Sequence, residues 1–138
     1  MASPVMLIVR TTLRRYAVCR DDVLEIKLVT DVADLQIEDS HGRSAIGVEL
    51  GSLLDPADRS ALVRRRALVV PLRRRLVALL VDHVELLQEH ATVEALPALL
   101  QEQLRQPWAS GALLLDTDVI VQLDLRAVAR AALASKSI

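Results

Sequence analysis

An all-β protein with short helices, built from two similar halves, is the fold class the sequence predicts. Three observations carry that reading. The stretch Ala67–Leu87 (ALVVPLRRRLVALLVDHVELL) reads as an apolar run, a basic turn and a second apolar run. Short apolar runs bounded by polar residues fit a buried β-hairpin better than a helix. The chain also contains this pattern twice: a slide of 61 positions lays Met6–Val23 over Ala67–Val84 without a gap. Leu7 then falls on Leu68, Val9 on Val70, Arg14 on Arg75, Ala17 on Ala78 and Asp21 on Asp82. Third, each hairpin is followed further on by a strand, an acidic residue, a Leu and a short helix, as Val48-Glu49-Leu50 and again as Leu123-Asp124-Leu125. Self-similarity of this kind sets the architecture before any single element does.

The elements follow in order. Val5–Val9 predicts a strand, Thr11–Arg15 a turn and Tyr16–Cys19 the returning strand. Asp21-Asp22 opens a short turn or a single helical turn. Val23–Val29 (VLEIKLV) alternates, which places Glu25 and Lys27 on one face and Ile26 and Leu28 on the other. The polar segment 30–43 reads as a loop punctuated by Gly42. Ser44–Leu50 predicts a strand and Gly51–Leu54 a helical turn. Asp55–Ser60 (DPADRS) reads as a linker between the halves, since Pro56 cannot continue a strand interior. Beyond the central hairpin, 88–107 has helix-forming residues interrupted by Pro97, predicting one or two short helices. Trp108–Leu115 and Val119–Leu123 predict a second hairpin around Asp116-Thr117-Asp118. Leu125–Ala134 has strong helix propensity, with Asp124 as its N-cap.

Length and composition bound the rest. At 138 residues the chain is one domain, or two very small units sharing a core. With 52% apolar residues, disorder is not its main state. With no Phe, one Tyr and one Trp, the core must be built from Val, Leu, Ile and Ala. A net charge of −1 gives no global field toward nucleic acid or an anionic membrane. The lone Cys19 excludes an intrachain disulfide. No apolar run approaches the ~20 residues of a membrane helix, and no signal-length apolar segment opens the chain. The expectation is a soluble cytoplasmic protein without membrane insertion.

Candidate chemistry is sparse. Asp82-His83 would point to opposite faces of a strand and cannot form a side-chain dyad there. His41, His83 and His90 lack partners at metal-ligand spacing, so no metal or cofactor is expected. Asp116 and Asp118 fit a hairpin turn better than paired catalytic carboxylates. The triplets Arg64–Arg66 and Arg73–Arg75 bracket one strand and read as two separate solvated spots, without aromatic residues for base stacking. Cys19 reads as core. By absence of a site, the sequence fits a binding module more than an enzyme or a small-ligand barrel.

The ordered residues resemble a known family. Tyr16-Ala17-Val18 followed by Asp22-Val23-Leu24-Glu25-Ile26 is similar to the Y-A-L…V-x-E-I segment of CheW-like domains, the adaptor modules of bacterial chemosensory arrays. His41-Gly42, Ala45–Leu50 and Leu53-Leu54 resemble that family's L-R-G…V-P-V-I-D-L…L-L. Val81-Asp82-His83-Val84 matches V-D-x-V, and Gly111 with Val121–Leu125 resembles G…L-L-D-L. The pattern runs over about positions 5–133. His41 and Ser40 depart from the family's arginine and apolar residue, and Glu49 from its aspartate. The resemblance implies two tandem SH3-like β-barrels, about 4–55 and 61–124, with a C-terminal helix at about 125–134. It also implies a scaffold that docks the regulatory domain of a CheA-type histidine kinase and a chemoreceptor cytoplasmic tip. Val23, Glu25, Ile26, His41, Gly42 and Val84 are its partner-binding candidates. A diverged module serving another protein partner is the alternative. Circular dichroism should be strand-dominated with a helical minority; a helix-dominated spectrum would sink the two-barrel expectation.

Overall fold

The computed structural model describes residues 6–30, 42–59, 64–87, 93–94, 108–115 and 118–136. In chain order, the first half holds β1 (Met6–Arg10), β2 (Arg15–Cys19), a 3-10 turn (Arg20–Asp22), β3 (Glu25–Val29), β4 (Ala45–Glu49) and α1 (Leu50–Leu54). The second holds β5 (Arg65–Pro71), β6 (Leu76–Val81), β7 (His83–Leu87), β8 (Val93–Glu94), β9 (Ala109–Leu115), β10 (Asp118–Leu123) and α2 (Leu125–Lys136). The described strands form a six-stranded sheet, β7-β1-β2-β10-β9-β8, and a four-stranded sheet, β3-β5-β6-β4.

The internal repeat is visible in the hydrogen-bond register. Leu7 faces Val18 and Val9 faces Tyr16 in the first hairpin. Shifted by the repeat, these pairs become Leu68 with Leu79 and Val70 with Val77 in the second. Even the turns coincide: the Thr11 N–H donates to Arg14 O at 2.9 Å, and the Leu72 N–H to Arg75 O at 2.8 Å.

The sheets, however, are not the two halves of the chain. β2 takes β10 of the second half as its parallel neighbour, and β6 takes β4 of the first. On the outer sides, β1 pairs with β7 and β5 with β3. Each hairpin is thus completed by strands that follow the other hairpin. In place of contiguous units at 4–55 and 61–124, the halves interlock. The local reason is the polar break after each hairpin. The 3-10 turn at Arg20–Asp22 carries the chain from β2 into the other sheet, and the bend at Asp82 does the same between β6 and β7. Asp21 and Asp82 are equivalent in the repeat.

Hairpins held this way are buried on both faces, which explains their unbroken apolar runs. One face of each enters a shared core: Leu7, Val9 and Val18 meet Leu68, Val70 and Leu79. The other faces enter two smaller clusters, Met6, Ile8 and Ala17 in one and Ala67, Val69 and Ala78 in the other. These clusters too are related by the repeat. A fully buried Leu or Val contributes about 1.5–3 kcal/mol.

The terminal helix completes the shared core. Leu125, Val128, Ala129 and Ala132 lie on one face of α2 and are buried there, while Arg126 and Arg130 remain exposed. Asp124 caps it as expected, its Oδ1 accepting from the Arg126 N–H at 3.1 Å and the Ala127 N–H at 3.3 Å. The helix packs on β5 and β6.

Two expectations are revised. The DPADRS segment is no loose linker through its described part: Asp58 is 1% exposed. Its carboxylate accepts from Thr11 Oγ1 and, at 3.1 Å, from the Leu13 N–H, binding this segment to the β1–β2 turn. Arg14 and Asp55 add an ion pair at 3.3 Å. Gly51 makes this approach possible, since a Cβ there would lie 2.9 Å from the Asp58 carboxyl carbon. Within 88–107, where helices were expected, the described residues Val93–Glu94 form a strand against β9, and the rest lies outside the described residues. The Asp116-Thr117 turn also lies outside them.

Leu68→Ala should destabilise the protein by about 2–5 kcal/mol in urea unfolding. Because the core is shared, Trp108 fluorescence and circular dichroism should report one coincident transition. Separate transitions would contradict the interlocked architecture.

Candidate functional site

Of the six partner-binding candidates, Glu25 and Ile26 lie on β3 and Val84 lies on β7. β3 is an edge of the four-stranded sheet and β7 an edge of the six-stranded one. Directly opposed residues in antiparallel strands share a face. Ile26 lies opposite Leu68, so its side chain stands on the face that carries the shared core. Alternation puts Leu24 and Leu28 on the same face. These three residues are 52%, 42% and 38% exposed in the order Leu24, Ile26, Leu28. They form an apolar row that continues the core outward into solvent. The expected split of β3 holds, and its apolar face is exposed, as is Glu25 on the other face.

The remaining candidates are divided. Val23, at the end of the 3-10 turn, is half-buried and packs against the shared core. Val84 is also half-buried against that core, opposite Val9 across the β1–β7 pairing. Glu25 is exposed, but it stands opposite Val69 and therefore on the other face from Ile26. Gly42 is exposed with φ of 75°, a left-handed conformation that favours glycine. His41 lies outside the described residues. The structure thus brings Val23, Ile26 and Val84 to the margin of one core and sets Glu25 apart. Leu24 and Leu28 were missed as candidates, although the L-x-I-x-L alternation signalled them.

An ion pair lies at the entry to β3. Asp22 lies 3.7 Å from the Arg126 guanidinium, linking the 3-10 turn to α2. Burial pushes the Asp22 carboxyl above its ordinary 3.8; Arg126 opposes that shift, while Asp124 and Asp21 reinforce it. Elsewhere, Glu49 on β4 pairs with Arg65 on β5. The Asp82 carboxylate accepts from Thr12 Oγ1 at 3.2 Å, and His83 is exposed at the start of β7. Cys19 is a half-buried free thiol beside Met6 and Ala17. Among the described residues, no three His, Cys, Asp or Glu side chains are grouped to hold a metal, and no helix is long and apolar enough to cross a membrane.

Comparison with solved structures places this arrangement. The crystal structure of the scaffolding protein TtCheW from Thermoanaerobacter tengcongensis superposes with a TM-score of 0.65, over 88% of this chain and 89% of that one. The two share 14% sequence identity. No family model matches the sequence, and no curated protein matches it. The chain therefore has a diverged CheW-like fold, all-β with two sheets and short helices, consistent with paired SH3-like units.

A pH dependence follows from Asp22. Its folded carboxyl binds a proton more tightly than the unfolded one, so its contribution favours folding at acid pH and is lost as pH rises through the raised value. Between pH 3.8 and neutrality, Asp22→Asn should therefore lose less stability than the native chain. Urea titrations at both ends of that window would show it; a steeper loss in the variant would contradict the assignment.

Proposed function

We propose that this chain is a non-enzymatic adaptor of a bacterial chemosensory pathway, acting in the cytoplasm by bridging a CheA-type histidine kinase and chemoreceptor tips. The observation that carries the proposal is the apolar row Leu24, Ile26 and Leu28, exposed on an edge strand and continuous with the core between the sheets. An apolar surface of this kind marks a protein contact. A helical receptor tip lying along the row would bury it, with Val23 and Val84 forming the packed floor beside it. Likeness to a scaffolding protein supports the same reading. Glu25, on the opposite face of β3, would meet a different part of the assembly. Gly42, in its left-handed conformation, would shape the return toward β4.

A second reading is favoured by the 14% identity and the absence of a matching family model. In it, the fold is retained and the same edge serves another protein partner.

The test is direct binding of the chain to the regulatory domain of its host's CheA-type kinase, with and without receptor-tip fragments. Micromolar or tighter binding is expected, about −8 kcal/mol. Ile26→Glu should weaken tip binding by about tenfold or more, because it places a charge on the apolar row without disturbing a buried residue. Glu25→Arg should leave the tip contact nearly unchanged. No binding to kinase or tip by a folded protein would reject the array role and favour the second reading.

A further inference from the structure

The hairpin turn between β5 and β6 does not stand alone in solvent. Arg73, Arg74 and Arg75 line one groove with Arg126 and Arg130 of α2, and with Arg43 from the segment before β4. Together they surround a groove of about 750 Å³. Its apolar lining comes from Leu24, Pro71, Leu72 and Leu133. Among the described residues, no carboxylate lines it. Six arginine residues thus line one groove in a chain whose net charge is only −1, with Arg43 also donating to Leu72 O at 2.9 Å and Arg130 Nε to Arg126 O at 3.2 Å.

We propose that this groove is a docking site for an acidic amphipathic segment of a protein partner. Charge complementarity selects the sign. Converging cations in a concave surface focus a positive potential, and arginine forks pair with carboxylates in bidentate fashion. The leucines select the form of the ligand: it must present an apolar face as well as acidic side chains. Nucleic acid fits less well, because no aromatic side chain among the described residues lines the groove for base stacking. An isolated phosphate would leave the apolar lining bare, and the Leu72 N–H in the turn is already given to Arg75 O. On this face Arg126 already approaches a carboxylate, that of Asp22 at 3.7 Å. Leu24 is the one residue the groove shares with the β3 row, so the two surfaces adjoin but differ in chemistry. The proposal does not depend on the chemosensory reading.

Fluorescence anisotropy with the whole protein tests it. The probe is a labelled synthetic helix carrying Glu on one face and Leu on the other. Binding is expected to weaken with added salt and to fall about tenfold in the double variant R73E/R74E, whose altered side chains are exposed. The matched variant R64E/R66E, with the same charge change elsewhere, should bind as the native chain does. Ile26→Glu should likewise leave this affinity unchanged, which separates the groove from the β3 row. The proposal is overturned by no binding of the probe, by equal binding of a Gln-for-Glu probe, or by an equal loss in R64E/R66E or in Ile26→Glu. Displacement of the probe by inorganic polyphosphate or an oligonucleotide at lower charge concentration would overturn the choice of a protein segment.

Discussion

Both hairpins bury both faces, and that constraint organises the molecule. A hairpin covered on one side only would leave half of Met6–Arg10 or Leu76–Val81 against water, at a cost of about 1.5–3 kcal/mol for each large side chain. The chain meets the demand by exchange. Strands from each half complete the sheet of the other, and α2 packs on β5 and β6 to close the shared core. With no Phe in the chain, the core is closed by many small branched side chains instead of a few large rings. Such a core depends on matched registers, which the duplicated hairpins supply.

The exchange also decides what remains exposed. Among the described residues, strands at the margins of the two sheets pair on one side only, and β3 keeps its apolar row in solvent. A monomer manages such an edge with charge or cover. Glu25 and Lys27 supply charge on one face only. The uncovered apolar face is the feature on which the proposed docking rests.

Much of the fold was legible because it is local. Apolar runs, a turn and a 61-residue repeat are properties of short windows, and they located both hairpins and their common register. The Asp124 cap and the apolar stripe of α2 were readable for the same reason. Strand exchange was not, because apolar alternation records which residues are buried and not which strand lies beside them. Asp58 illustrates the same limit. In sequence it sits in a Pro-containing polar stretch, while its hydrogen-bond partners Thr11 and Leu13 are more than forty residues away. The arginine groove failed for this reason too: Arg43, the 73–75 triplet and the α2 arginines are brought together only by tertiary packing. Alternation also puts Ile26 on the apolar face of β3, which the register shows. Glu25, its neighbour, was grouped with it although the same alternation sends it to the opposite face.

Hydrogen exchange of the chain alone and with chemoreceptor-tip fragments addresses the central claim most directly, since it reports where a partner lies without altering a residue. The account predicts slowed exchange in β3 and in the adjoining Val23–Leu24 segment when the fragment is present. Slowed exchange confined to β8, β9 or β10, with β3 unchanged, would contradict it.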